Sequence, residues 1–121
     1  MKIQTLAAAV LSGLLFGVPL VASAHTHLEN SEPADKAALS APPKTVQLRF
    51  SEKVAAEWSK IVVTDAAGKR VDKEKVSEDA ADPKHIQVEL DTLAPGAYAV
   101  DWNVISGDGH RVKGHFSFTV Q

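Results

Sequence analysis

A carboxylate and an imidazole two residues apart, Asp108 and His110, stand in the stretch Ser106-Gly107-Asp108-Gly109-His110. The interleaved glycines mark a loop. A carboxylate and a neutral imidazole are ligands for a borderline divalent metal, but two ligands leave its coordination sphere unfilled. The other end of the chain offers the remainder. His25 follows Ala22-Ser23-Ala24, a small-residue cleavage site of the A-x-A type. Cleavage there gives His25 a free α-amine with a pKa of roughly 7.7–8.0, whose proton a metal displaces easily at neutral pH. That amine and the His25 ring nitrogen can grip one ion as a chelate. With the His110 imidazole and an Asp108 oxygen, the set is three nitrogens and one oxygen, which suits a tetragonal Cu(II) site. Tetrahedral zinc is an alternative, but it has no need of an amine terminus.

His27 brings a competing mode. A free amine, two backbone amides and a third-position imidazole wrap Cu(II) in a square plane without any fold. The two modes share one amine and exclude each other, so His27 is a secondary ligand candidate. Each residue also has a plain reading. His25 and His27 can be the solvated start of the chain, Asp108 a turn residue, and His110 an exposed loop histidine. His115 has the parity opposite to Phe116 and Phe118, which predicts an outer face and a supporting or solvated role. His85 reads as a surface residue, and Trp102 as core.

Other chemistries have less to rest on. Ser106, Asp108 and His110 are too close in sequence for a triad built from separate elements. Gly107-Asp108-Gly109 lacks the strand-loop-helix setting of a phosphate loop. The acidic residues show no glycosidase-like pairing. Cysteine is absent and methionine occurs only at position 1, so thiolate sites, disulfides and a soft Cu(I) site have no ligands. The 13 basic and 15 acidic residues form no long basic run, which counts against nucleic acid as a partner.

Lys2, an apolar run over residues 6–21 and the cleavage site together read as a secretory signal over residues 1–24. The apolar run is short for a membrane span. Removing 24 of 121 residues leaves 97, and losing Lys2 takes the net charge from −2 to −3. The expectation is one exported domain over residues 25–121, with no membrane insertion of the mature form.

The elements that must position the site read as strands. Residues 44–50 alternate, with Val46, Leu48 and Phe50 inward. Residues 58–65 follow, with Ile61 and Val63 inward, then a hairpin turn around Gly68 and a short return strand over 70–76. Asp82-Pro83 reads as a turn. Ile86, Val88 and Leu90 point inward from 85–90. Tyr98, Val100, Trp102 and Val104 share one parity before the Asp108 loop, and Phe116, Phe118 and Val120 share one after it. Leu28 anchors the start and Pro33 ends any strand there. Residues 34–40 read as a loop or a single helical turn. About seven short strands separated by Pro/Gly turns predict an all-β, seven-stranded Greek-key sandwich or barrel of the immunoglobulin-like kind.

Several stretches resemble the periplasmic copper-resistance CopC family, close to its short YobA-type members. They are His25-Thr26-His27-Leu28, Ser31-Glu32-Pro33 and Leu48-Arg49-Phe50-Ser51-Glu52. Residues 93–102, Ser106-Gly107-Asp108-Gly109-His110 and Gly114-His115-Phe116-Ser117-Phe118 complete the set. The resemblance implies a seven-stranded Greek-key domain that binds one Cu(II) through the N-terminal histidine with its amine and the Asp and His of a D-x-H loop. Those positions are His25, Asp108 and His110. Some members carry a Met-rich loop for Cu(I), which has no counterpart here. The resemblance also implies work beside an inner-membrane CopD-type protein. The resulting expectation is a monomeric periplasmic Cu(II) carrier or buffer that is not an enzyme. Two alternatives are a copper-brace oxidoreductase, for which a 97-residue domain has few aromatics to build a substrate surface, and a metal-free immunoglobulin-like interaction module.

Overall fold

Strict alternation of apolar residues carries through into paired strands. A computed structural model describes residues 25–121, and the leader read from residues 1–24 lies outside the described residues. The strands are β1 (Leu28–Glu32), β2 (Ala37–Leu39), β3 (Thr45–Phe50), β4 (Lys60–Asp65), β5 (Asp72–Asp79), β6 (Asp82–Leu90), β7 (Gly96–Ile105) and β8 (Arg111–Val120), with a 3-10 turn at Ala56–Trp58. They form two sheets, β1-β3-β6-β5 and β2-β8-β7-β4. The chain changes sheet at every connection except β5–β6 and β7–β8, giving the Greek-key, immunoglobulin-like sandwich. Among the described residues, no helix is long and apolar enough to cross a membrane.

The inward apolar residues of β3, β4, β6 and β7, with Phe116, Phe118 and Val120 of β8, are buried and form one core between the sheets, against which Val112 packs half-buried. A fully buried side chain of this kind contributes ~1.5–3 kcal/mol over an exposed one. This face is therefore the main source of stability in a chain without disulfides. β7 and β8 stay in register from Gly96↔Val120 to Ile105↔Arg111, so the loop over residues 106–110 caps a ten-rung ladder.

Four details depart from the sequence expectation. The described residues contain eight strands rather than seven, because residues 37–39, read as loop or helical turn, run parallel to β8 from Ala37↔Phe118 to Leu39↔Val120. Three residues are too few for period two to be told from one helical turn. The turn at Gly68 forms with positive φ, and Thr64 bridges Arg70. The return strand then leaves β4 and pairs with β6 in the other sheet. Its sequence, DKEKVSED, has one apolar residue, so periodicity could not assign its partner. The turn before β6 lies at residues 79–82, and Pro83 sits inside the strand. There its carbonyl accepts from Val54 N–H at 3.2 Å. Trp58 closes the 3-10 turn ahead of β4 and is 68 % exposed.

Asp72 ties the two sheets where β4 hands over to β5. Its buried carboxylate accepts from Val63 N–H at 2.8 Å, Glu74 N–H at 2.9 Å and Arg70 Nε–H at 2.9 Å. Burial alone would raise its pKa. The Arg70 hydrogen bond, then those from Val63 and Glu74, outweigh that and hold it below the usual carboxylate value. A folded pKa below the unfolded ~3.9 means a contribution present above about pH 4 and lost as pH falls through the lowered value. Arg70 is itself 38 % exposed, so the pair is worth less than a fully buried one. Asp72→Ala, which orphans two backbone donors, should cost about 2 kcal/mol in urea unfolding at pH 7. The gap from the parent protein should close in acid. A gap that stays constant down to pH 2 would contradict this account.

Candidate metal centre

The loop over residues 106–110 is built by its own hydrogen bonds. Ser106 N–H donates to His110 O at 2.8 Å, and Gly109 N–H donates to Ser106 O at 2.9 Å. Gly109 has φ +89, a left-handed conformation open to glycine at little cost. Ser106 is buried, while Asp108 and His110 project into solvent with side chains 51 % and 81 % exposed. His110 Nδ1 lies 3.0 Å from Asp108 Oδ2. The Ser106 hydroxyl donates to Asp108 Oδ1. It also lies 3.2 Å from His110 N–H, from which it can accept. The Ser106 hydroxyl, followed by the His110 ring and N–H, holds the Asp108 pKa down at about 2. The carboxylate is therefore ionised at neutral pH, in the form a divalent cation takes.

The start of the domain reaches the same end of the sandwich through a third segment, residues 51–55. Ser51 N–H donates to His27 O at 2.9 Å, and His27 N–H donates to Ser51 Oγ at 3.0 Å. Thr26, buried between two exposed histidines, donates to Glu52 Oε2 at 3.4 Å. Two residues further along, Gly107 N–H donates to Lys53 O at 2.9 Å and Ala55 N–H donates to Ile105 O at 2.8 Å. Val54 bridges Ser106. Ser51 and Lys53 are at most ~7 Å apart along the chain. One short stretch of backbone therefore holds both the histidine-bearing start and the acidic loop.

Asp108 and His110 come together; His25 does not close onto them. Among the described residues, no group of three or more His, Asp or Glu side chains gathers around one point. The His27 ring turns back along its own strand, with Nδ1 3.3 Å from His25 O. His115 lies opposite Asp101 on the outer face of the sheet, about 13 Å along β8 from Arg111 and away from the loop. His85, expected at the surface, is half-buried, with Nδ1 3.3 Å from Asp79 Oδ2. Residue type alone gives Ser106 and the segment over residues 51–55 no part in holding a metal. A serine carries no metal signal, and the proximity of 51–55 to both ends is a property of the fold.

The family model for the CopC domain matches residues 28–121. Protein YobA of Escherichia coli K12 is 38% identical over 99 residues, covering 81% of this chain and 80% of its own. Copper resistance protein C of Xanthomonas campestris pv. juglandis is 39% identical over 106 residues, 83% of each chain. The crystal structure of CopC from Methylosinus trichosporium OB3b superposes with a TM-score of 0.76 at 37% identity, covering 80% of this chain and 94% of that one.

Proposed function

The chain belongs to the CopC family, and from that premise we propose that it is a periplasmic Cu(II)-binding protein of copper homeostasis and resistance. It is exported by a leader over residues 1–24 that is cleaved after Ala24. It then holds one Cu(II) through the His25 amine and ring, an Asp108 oxygen and His110. It carries or buffers the ion without catalysing a reaction, as a monomer, and exchanges it with an inner-membrane CopD-type transporter. The relatives named for copper resistance support the choice of metal. The observation that carries the reading is the segment over residues 51–55, hydrogen-bonded at one end to His27 and at the other to Gly107. From that position a freed terminus has only to fold over the loop.

The folded centre and the peptide-like mode at His27 respond oppositely to substitution. In a Cu(II) competition titration of the exported protein, His110→Ala should weaken binding ~100-fold, at the upper end of what even indirect partners of a metal cost. His27→Ala should change it less than ~3-fold, because that ring is outside the folded ligand set. The reverse ranking would place the copper on the peptide terminus and refute the folded centre.

A further inference from the structure

We propose that the leading half of β8, Arg111 to His115, is an interaction edge that takes an extended segment of a partner protein in which acidic and apolar residues alternate. Ser106 N–H donates to His110 O directly opposite, so the hydrogen-bonded pairs of the hairpin continue as Val104 with Val112, Trp102 with Gly114 and Val100 with Phe116. The residues between them, Arg111, Lys113 and His115, turn their N–H and C=O groups away from β7. Ser117 has the same parity and shows what that side can hold. Its C=O accepts from Lys36 N–H at 2.6 Å, its N–H donates to Asp35 Oδ1 at 3.3 Å, and β2 runs alongside from Phe118 to Val120. The edge has thus already accepted one strand, from its own chain. Ahead of Ser117 no strand lies there. Among the described residues, the backbone groups of Arg111, Lys113 and His115 have no hydrogen-bond partner.

Exposed strand edges are normally blunted. β1 and β5 carry register breaks, at Leu28/Asn30 and Asp72/Val76, and β4 is covered where Val63 bonds to Val71 and to the Asp72 carboxylate. β8 keeps an unbroken register to Arg111, and what guards it is charge. Arg111 and Lys113 project from the outer face, with Lys60 in the same row as Lys113 beyond Asn103. Among the described residues none of these three cations is ion-paired, and Arg111 donates to the neutral Asn103 Oδ1. β7 offers one outward carboxylate, Asp101, and it lies opposite His115 rather than a cation. Charge argues against a second copy of this chain. Antiparallel self-pairing about Lys113 sets Lys113 against itself, and pairing about Val112 sets Arg111 against Lys113; like charges directly opposite are destabilising. An acidic strand turns the same positions into opposite-charge pairs. Its intervening residues fall on the other side of the sheet, over Gly114 and half-buried Val112, where apolar side chains cover the rim of the core. Arg111 directly follows His110, so a strand paired here ends beside the loop of the candidate centre. That such a partner receives or delivers the ion rests on the copper reading; the pairing itself needs no metal.

The probe is a short peptide alternating glutamate and valine, capped at both ends and added without copper to the exported protein at low ionic strength. Backbone amide shifts should move along β8, and hydrogen exchange at Arg111, Lys113 and His115 should slow, with a Kd of about 1 mM or tighter. Lys113→Glu should weaken binding ~10-fold, as should lysine in place of the peptide's glutamates. In antiparallel pairing the glutamates opposite Arg111, Lys113 and His115 exchange hydrogen bonds with them. N-methylating those glutamates removes their N–H groups and keeps their charge, so it should abolish binding. Undiminished binding of the N-methylated peptide would reduce the contact to charge attraction and overturn the proposal. So would an absence of binding, or amide shifts confined to another edge. Slowed exchange at the same three amides on raising the concentration of the protein alone would overturn the acidic partner in favour of a second copy. The peptide comparisons use the parent protein, so they decide the matter even if Lys113→Glu does not fold. A protein that pairs with the peptide and binds no Cu(II) keeps the edge and loses the copper reading; one that binds Cu(II) and not the peptide does the opposite.

Discussion

One residue added ahead of His25 in the otherwise mature protein should lower Cu(II) affinity by ~1,000-fold, about 4 kcal/mol. The addition converts the His25 amine into an amide, which gives up its proton to a metal far less readily than an α-amine, and moves the new amine ~3.8 Å or more away. The chelate then loses its amine arm, and the remaining ring loses the geometry that the five-atom grip imposed. Changes to residues that merely orient a metal ligand cost ~10–100-fold, so loss of half a chelate belongs above that range. The fold should not respond, because His25 is exposed and precedes β1. A chelator-competition titration with the visible copper spectrum reads both quantities. The same affinity and the same spectrum with the extra residue in place would remove the amine from the ligand set. The peptide-like mode at His27 also needs the amine, so this variant tests the terminus itself, whereas His110→Ala tests the loop.

Gly114→Ala should destabilise the domain by about 3 kcal/mol with no direct effect on the metal ligands. Gly114 pairs with Trp102 across β7 and β8 on the inward face. A Cβ there would lie 2.4 Å from Trp102 Cζ2 and 2.7 Å from Cε2, far inside van der Waals contact. The indole lies over the glycine and cannot simply withdraw, since it packs in a T-shaped pair with Phe50, ring centroids 5.2 Å apart and planes at 72°. Relief requires moving the ring, the ladder or the core behind it. Small domains have stabilities of about 5–15 kcal/mol, so this one methyl removes a large share. Urea unfolding measures the loss. Trp102→Phe in the Gly114→Ala background should recover part of it, a coupling expected only of side chains in contact. An unchanged unfolding midpoint in Gly114→Ala would show that the indole finds another place at little cost.

Strands with three or more alternating apolar residues were legible from the chain alone, and β3, β6, β7 and β8 lie where period two puts them. Where apolar residues run out, so does the signal. β5 has only Val76 to report its inward face, and nothing local says that it leaves β4 for β6. β2 is shorter than the period needs. In the candidate site, Asp108 and His110 stand out by residue type, because a carboxylate and an imidazole two residues apart suggest a metal. The hydroxyl of Ser106 does not, because it is buried and its bonds to Asp108 Oδ1 and from His110 N–H form only in the folded loop. Gly114 is the complementary case. A glycine among inward-facing aromatics reads as a gap in the pattern, and only the packed indole shows what fills it.

The contacts of residues 51–55 have one more consequence. They put residues distant in sequence, the domain's first and those of its last hairpin, against one short stretch of backbone. An ion gripped from both sides would close a ring of polypeptide enclosing nearly the entire domain. Long closures are the ones that most restrict the denatured chain. Copper would then serve this cysteine-free protein as a removable clasp, present when cargo is aboard and gone once it is handed on.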